Sequence, residues 1–202
     1  MFWQHVHQLD QQITLAINSW NSPLTDPFWA FMSMKLVWAP LYAAIIGLII
    51  WKLGWKKGCI LIACTLLTFV FCDQFANLIK HAVERIRPLH DEFMVQNGLN
   101  ILERGGGYSF FSAHAANSFG LIGCTWLGLK LSLKDTGRAT DSKIAKWYGR
   151  ILFTWAALVG ISRIFVGKHY LGDVIVGTIV GIAIGCSLGI VASIISKSVF
   201  RK

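Results

Sequence analysis

The chain has 202 residues, of which 54% are hydrophobic and only 14% are charged, and its mean hydropathy is +0.54. Soluble domains usually carry about a quarter charged residues, so this composition excludes an ordinary soluble protein and predicts an integral membrane protein. The net charge of +9 does not indicate a nucleic-acid partner, because the usual enrichment of lysine and arginine in cytoplasmic loops accounts for most of it.

The first 35 residues differ from the rest of the chain because they are mixed in polarity and are interrupted by Pro23 and Pro27. They lack the charged start and the small-residue cleavage site of a signal peptide. We therefore expect residues 1–35 to form an interfacial segment that lies at the membrane surface.

The remaining apolar runs are long enough to cross a membrane, which requires about 20 helical residues. They predict five spans, at 36–52, 58–79, 113–131, 148–166 and 171–196. The connections are mostly short, and no linker interrupts them. The predicted fold class is therefore all-α, a polytopic transmembrane helix bundle in a single domain, 1–202, with a motif-bearing core at 60–195.

Charge distribution predicts the orientation of this bundle. Three segments, 52–57, 130–150 and 197–202, hold 12 of the 19 lysine and arginine residues. The positive-inside rule places such segments in the cytoplasm. With five spans, the N-terminus, the loop 80–111 and the turn 163–169 then share the outer side, where anionic lipid head groups are natural partners.

The first polar stretch lies at the end of the second span. Its members have helical spacing, so we expect them to share one face: Asp73, Asn77, Lys80, Glu84 and Arg87. Pro88 disfavours helical geometry at the residue before it, so we expect the helix to stop at Arg87. Ionisable groups at this depth usually face the bundle interior or a water-filled cavity. For Asp73 and Asn77, hydrogen bonds to neighbouring helices are the simpler interpretation.

The second stretch follows the flexible run Gly105–Gly107 and leads into the third span. Ser112 has the position of a helix N-cap, and the start of a helix offers free N–H groups to an anion. His114 then falls in the first turn beside that anion site. A capping serine with an interfacial histidine is the alternative.

The third stretch contains Ser162 and Arg163, followed by His169 and Asp173. The last two are four residues apart and therefore face the same way on a helix. A carboxylate that accepts a hydrogen bond from one imidazole nitrogen leaves the other nitrogen available as nucleophile or base. Further along, a row of glycines at the same spacing predicts close helix packing: Gly177, Gly181, Gly185 and Gly189.

Together the three stretches resemble the three-part signature of the type 2 phosphatidic acid phosphatase family of membrane lipid phosphatases, over roughly residues 60–195. The matching residues are Lys80, Arg87 and Pro88, then Ser112 and His114, then Ser162, Arg163, His169 and Asp173. The middle part departs from the usual pattern, because Phe111 and Ala113 replace a proline and a glycine.

The resemblance implies a metal-independent phosphatase, without a cofactor, that works through a phosphohistidine. His169 would attack phosphorus and Asp173 would orient it, while His114 would protonate the leaving oxygen and later activate water. The phosphate-binding residues implied in the same way are Lys80, Arg87, Ser112, Ala113 and Arg163.

The expected substrate is a phosphorylated lipid, with undecaprenyl pyrophosphate as the first choice. Lipid A and phosphatidylglycerophosphate are alternatives within the family, and the same residues would also serve a lipid phosphotransferase. A transporter is a further alternative, although the chain shows no internal repeat. We expect an integral protein of a bacterial inner membrane with its site facing the periplasm or outside. The glycine row fits packing within or between chains, so the oligomeric state stays open.

Overall fold

A computed structural model describes residues 2–134 and 139–199 of the chain. These residues contain helices but no β-strand, as the sequence predicts. Arg138, Arg201 and Lys202 of the predicted cytoplasmic segments lie outside them. The α-helices are α1 (Phe2–Asn18), α2 (Asp26–Ser33), α3 (Ala39–Val83), α4 (Glu92–Gln96), α5 (Ala113–Lys134), α6 (Ala139–Phe165) and α7 (Leu171–Val199). Short 3-10 turns occupy Leu36–Trp38 and Pro88–His90.

Helix α3 contains the first two predicted spans, joined at Gly54. This residue has φ 74° and ψ 167°, a conformation that glycine adopts without a steric penalty. Beyond it, Gly58 packs on Ile49 and Ile50, so the two limbs of α3 lie side by side. The segment Leu36–Gln96 and helix α7 are long and apolar enough to cross a membrane. Helices α5 and α6 are less apolar, and the count of five spans remains a prediction.

The predicted cytoplasmic segments meet at one end of the bundle. Lys52 Nζ lies 3.1 Å from Asp141 Oδ1, and both side chains are largely buried. This ion pair joins the segment 52–57 to the segment 130–150. The structure therefore brings two of the basic segments together, and their position in the cytoplasm remains a prediction.

The glycine row of α7 packs directly against the backbone of α5. A Cβ atom at Gly181 would lie 2.2 Å from the carbonyl oxygen of Ala116, and one at Gly185 would lie 2.2 Å from that of Gly120. No other residue type could therefore be accommodated without moving a helix. This contact confirms the predicted packing role and fixes the beginning of α7 beside the beginning of α5.

The N-terminal segment folds into α1 and α2, and α1 packs on α6 and α7. The apolar side chains Trp3, Val6, Leu9 and Ile13 of α1 are exposed, whereas Gln11, Thr14 and Asn18 are buried against the bundle. An exposed apolar face agrees with a helix that lies at the membrane surface. The interfacial location of residues 1–35 remains a prediction.

Candidate active site

The first polar stretch, residues 73–87, leaves helix α3 earlier than the sequence suggests. Helix α3 ends at Val83, and Glu84 adopts a left-handed conformation with φ 50° while its N–H donates to the Lys80 carbonyl. Arg87 is extended, with φ −73° and ψ 152°, because the following Pro88 excludes helical geometry there. The expectation that the helix continues to Arg87 is therefore wrong.

The predicted common face holds for Asp73, Asn77 and Lys80 within α3 and is wrong for Glu84 and Arg87, which lie beyond the end of the helix. On that face Asn77 is exposed, while Asp73 and Lys80 are partly buried. Asn117 Nδ2 donates to Asp73 Oδ1 at 2.7 Å, which confirms the simpler interpretation of Asp73. Early termination of α3 nevertheless keeps Lys80 and Arg87 at the same end of the bundle.

Arg87 is held against the turn that contains His169. Its Nε donates to the Gly107 carbonyl at 3.2 Å, and its Nη1 donates to the Lys168 carbonyl at 3.4 Å. Burial lowers the pKa of Arg87, and the nearby Asp173 carboxylate opposes that effect. The guanidinium still remains charged, since arginine is not deprotonated in proteins.

Ser112 caps α5, as predicted, because its Oγ accepts from the Ala115 N–H at 3.4 Å. Its own N–H donates to the Asp173 carbonyl at 3.0 Å and so is not available to phosphate. The next N–H groups, those of Ala113 and His114, lack acceptors within the helix because they belong to its first turn. His114 lies within electrostatic range of both Arg163 and His169.

His169 and Asp173 form the predicted pair. His169 Nδ1 lies 3.4 Å from Asp173 Oδ2, and the Tyr170 N–H donates to the same oxygen at 3.0 Å. The two residues are 2% and 0% exposed. Burial lowers the pKa of His169 to about 4 although Asp173 raises it, so the imidazole is neutral at pH 7 and its Nε2 carries a free electron pair.

Arg163 is the most deeply buried cation of the site, with 2% of its surface exposed. Its Nη1 donates to both the carbonyl and the hydroxyl oxygen of Ser33 and pairs with Glu103 Oε2 at 3.5 Å. Its Nε has no hydrogen-bond partner among the described residues. Because an unsatisfied buried donor is costly, a phosphate oxygen is a suitable acceptor for this group.

Glu103 and Lys168 also belong to the site, although the sequence patterns did not single them out. Lys168 Nζ pairs with Glu103 Oε2 at 2.8 Å. Burial by itself raises the pKa of Glu103. Hydrogen bonds from Lys168 and Ser33 and the nearby Arg163 charge lower the pKa by a larger amount, so it lies below its ordinary value. A carboxylate therefore already occupies one side of Arg163.

Arg85 is a further residue that the sequence patterns did not single out. Its Nη1 donates to Asp173 Oδ1 at 2.8 Å and its Nη2 donates to Asp10 Oδ2 at 2.7 Å. The sequence feature that could have identified Arg85 is its position two residues before Arg87, with the exposed Ile86 between them. In extended chain, side chains two residues apart point to the same side, so both arginines can turn inward once the helix has ended.

Two adjoining cavities lead from this site into the bundle. One, of about 300 Å³, is lined by His114, Lys35 and Asp73 among others. The other, of about 200 Å³, is almost entirely apolar and lies between the two limbs of α3 and α5. Both are bordered by Tyr42 and Phe69, so the cavity that contains charged side chains lies next to the apolar one.

The predicted site residues therefore converge at one end of the bundle. They are His114, His169, Asp173, Lys80, Arg87, Ser112, Ala113 and Arg163. Among the described residues, no group of three or more histidine, cysteine, aspartate or glutamate side chains is arranged to hold a metal ion. The arrangement instead combines a buried neutral imidazole, its carboxylate partner, a second histidine and several cations, which suits transfer of a phosphoryl group.

Comparison with known proteins agrees with this chemistry. The family model described as the PAP2 superfamily matches residues 56–196. The lipid A 4'-phosphatase of Bacteroides thetaiotaomicron is 31% identical over 180 residues, which cover 88% of this chain and 74% of that protein. The lipid A 4'-phosphatase of Porphyromonas gingivalis is 27% identical over 176 residues, covering 86% and 69%.

Two crystal structures have a similar fold. The transmembrane PAP2 type phosphatidylglycerolphosphate phosphatase from Bacillus subtilis gives a TM-score of 0.69 at 22% identity, covering 98% of this chain and 89% of that one. Aquifex aeolicus LpxE gives a TM-score of 0.58 at 24% identity, covering 90% and 92%.

Proposed function

Because the chain belongs to the PAP2 superfamily and is a membrane lipid phosphatase, we propose that it removes a phosphate monoester from a glycolipid of the lipid A class. The named activity of its two relatives favours this substrate over undecaprenyl pyrophosphate, the first choice in the sequence analysis, where the motifs did not separate the family's substrates. The observation that carries the proposal is the buried pair of His169 and Asp173 near Arg163, together with the neighbouring cavity lined by His114 and Lys35 and the apolar cavity beside it.

The proposed reaction takes the role of each residue from the family resemblance, and the positions of the groups are compatible with it. His169 Nε2 attacks phosphorus, the bond from phosphorus to the lipid oxygen breaks, and His114 supplies the proton that this oxygen takes up. Water, deprotonated by His114, then attacks the phosphohistidine and releases inorganic phosphate. Lys80, Arg87 and Arg163, with Ser112 and the N–H of Ala113, stabilise the charge on the phosphoryl oxygens in both steps.

The two cavities suit a substrate with an anionic head and long chains. Phosphate is placed next to His114 at the polar end, and an acyl chain extends past Tyr42 and Phe69 between the limbs of α3. The chain would gain little free energy from the transfer itself, because bilayer lipid is as apolar as the lining of this cavity. The cavity would instead orient the chain and so position the head group for reaction.

A pyrophosphate lipid is the second candidate, because Lys35 supplies an additional cation. Lys35 lines the polar cavity and lies within electrostatic range of both His114 and Lys80. A second phosphate group would have a partner there. The same lysine would also suit the second phosphate of a lipid A bisphosphate, so only a direct comparison separates the two substrates.

The test is phosphate release by the purified protein from three lipids side by side: lipid A bisphosphate, undecaprenyl pyrophosphate and phosphatidylglycerophosphate. We expect the highest kcat/KM with lipid A bisphosphate, in the presence of EDTA, and no turnover in His169→Ala. Equal or better turnover of undecaprenyl pyrophosphate would reject the proposed substrate. A phosphorylated acceptor lipid in place of free phosphate, detected by mass spectrometry, would indicate a phosphotransferase.

We place the protein in a bacterial inner membrane with its site on the outer face. The argument is the positive-inside rule applied to the segments around Lys52 and Lys130, which the ion pair of Lys52 with Asp141 supports by joining them at the end opposite the histidines. A green fluorescent protein fused to the C-terminus should be fluorescent, and alkaline phosphatase fused there should be inactive. The reverse result would overturn this orientation.

A further inference from the structure

Helix α1 presents a row of polar side chains to the start of α7. Thr14 Oγ1 accepts from the Leu171 N–H at 3.0 Å, and Asp10 Oδ1 accepts from the Gly172 N–H at 2.9 Å. These are the first two N–H groups of α7, which have no acceptor within their own helix. Side chains from another helix therefore cap the helix that carries Asp173.

The same row continues to the end of α6. Asn18 Nδ2 donates to the carbonyl oxygens of Ile164 and Phe165 at 3.0 and 3.2 Å, and both are among the last carbonyls of α6. Asn18 is 1% exposed and Thr14 is fully buried. Helix α1 thus satisfies backbone groups on both sides of the turn 166–170, and this turn contains His169.

A continuous chain of charged groups joins α1 to the same histidine. Asp10 Oδ2 accepts from Arg85 Nη2 at 2.7 Å, and Arg85 Nη1 donates to Asp173 Oδ1 at 2.8 Å. The other oxygen of Asp173 faces His169 Nδ1. The Arg85 guanidinium also lies over the Tyr170 ring, 3.8 Å from its centroid, which further restricts its orientation.

We propose that α1 is a positioning element of the catalytic turn, and that Asp10 acts through Arg85 to fix the carboxylate that orients His169. This inference rests on the proposed role of His169 as nucleophile. Asp10 does not touch the substrate. It shares the positive charge of Arg85 with Asp173, so it controls both the direction of that carboxylate and the net field at the imidazole.

The field at His169 has contributions from every element around it. The titratable and charged groups are His7 and Asp10 of α1, Lys80 of α3, Arg85 and Arg87 after α3, Asp91 before α4, Glu103 and His114 before and in α5, Arg163 of α6, and Lys168, Tyr170 and Asp173. Of these, Asp10 and Arg85 act on His169 mainly through Asp173. Removing Asp10 leaves the whole positive charge of Arg85 facing Asp173, and removing Arg85 leaves Asp173 without that charge.

These two changes have opposite consequences for the pH dependence of kcat. The acidic limb is the fall of kcat at low pH that accompanies protonation of His169. In Asp10→Asn, the imidazole experiences a more positive field, which disfavours this protonation, so the acidic limb moves to lower pH. In Arg85→Gln it experiences a more negative field, so the limb moves to higher pH. In both variants kcat falls by at least about 10-fold, because the carboxylate is less firmly oriented, while KM changes by less than about 3-fold.

Thr14→Val is the matched control, because it removes a cap of α7 without changing charge. It should lower the temperature of unfolding but leave the acidic limb in place. Asp10→Glu, which retains the carboxylate, should return the limb toward that of the wild type even if kcat stays low. Size-exclusion chromatography and thermal unfolding in detergent establish that each variant is folded.

The measurement is kcat against pH from about 2.5 to 8 for these variants, because the pKa of His169 is about 4 and the limb of Asp10→Asn moves below it; the substrate is lipid A bisphosphate or a short-chain phosphatidic acid. An unchanged kcat and limb in Asp10→Asn would overturn the inference, as would shifts of the same sign in Asp10→Asn and Arg85→Gln. Activity that survives in His169→Ala would instead overturn the proposed function, and this outcome is independent of the result for Asp10.

Discussion

Replacing Gly177 by alanine tests whether the contact between α5 and α7 determines catalytic geometry. A Cβ at this position would lie 2.5 Å from the carbonyl oxygen of Ser112, whereas ordinary contact begins near 3.4 Å. The two backbones would therefore have to separate by about 0.9 Å. No side-chain rotation can relieve the overlap, because the neighbouring atom is part of the backbone that leads into the first turn of α5.

The separation acts on stability and on activity to different extents. Overpacking costs about 1–3 kcal/mol, and the better helix propensity of alanine offsets about 1 kcal/mol of that. We thus expect the free energy of unfolding to fall by up to about 2 kcal/mol, which lowers the temperature of unfolding by up to about 8 °C. The hydrogen bond between Ser112 and Asp173 lies at this contact, so kcat should fall about 100-fold, the usual result of a 1 Å misplacement.

Two other alanine variants control for the position and for the change of residue. Gly189→Ala creates a similar overlap, 2.6 Å from the Cys124 carbonyl oxygen, but about 18 Å further along α7. It should destabilise the protein equally and change kcat only a few-fold. Gly47→Ala has no atom within 4 Å of the added Cβ, so it should stabilise α3 by about 1 kcal/mol through helix propensity alone and leave kcat unchanged. Wild-type kcat in Gly177→Ala, or an equal loss of kcat in Gly189→Ala, would refute the reasoning.

Three more predictions concern charges. The pKa of His169 is about 4 in the folded protein, below its ordinary value near 6.5. The contribution of neutral His169 to the unfolding free energy is therefore complete above pH 6.5 and is lost as the pH falls toward 4. Thermal unfolding of wild type and His169→Gln across this pH range measures that contribution. Glu103→Gln removes the carboxylate that competes for Arg163, so inorganic phosphate should inhibit several-fold more strongly, and weaker inhibition would contradict this. Lys52→Met leaves Asp141 without this partner and should destabilise the protein by about 1–3 kcal/mol at constant kcat, as thermal unfolding and phosphate release would show.

The location of the candidate site could be predicted because its residues have the spacings of the family signature near the ends of apolar helices, while the role of each residue stays a prediction. His169 and Asp173 are four residues apart, and the first turn of α7 brings them together with no contribution from distant sequence. Ser112 likewise caps α5 through a local hydrogen bond. The glycine row predicted close packing because its period matches one helical face. Local periodicity was sufficient in all three cases.

The contacts made by Asp10, Arg85 and Glu103 could not be predicted, because each joins segments that are far apart in the chain. Arg85 bonds to Asp10 and Asp173, which lie 75 and 88 residues away. The end of α3 was misplaced for another reason. Pro88 limits only the residue before it, whereas the left-handed turn at Glu84 already ends the helix, and helical spacing carries no warning of such a turn.

The hydrogen bond from the Ser112 N–H to the Asp173 carbonyl has an evolutionary consequence. It locks α5, which carries His114, to the start of α7, which follows His169, while Ser33, Lys35 and Glu103 reach this block from separate segments. Lipid selectivity can therefore diverge in those segments as long as the contacts of Ser33 and Glu103 with Arg163 are kept. A chimaera that exchanges residues 19–38 and 97–107 with those of a related phosphatase should inherit head-group preference from the donor and catalytic competence from the recipient.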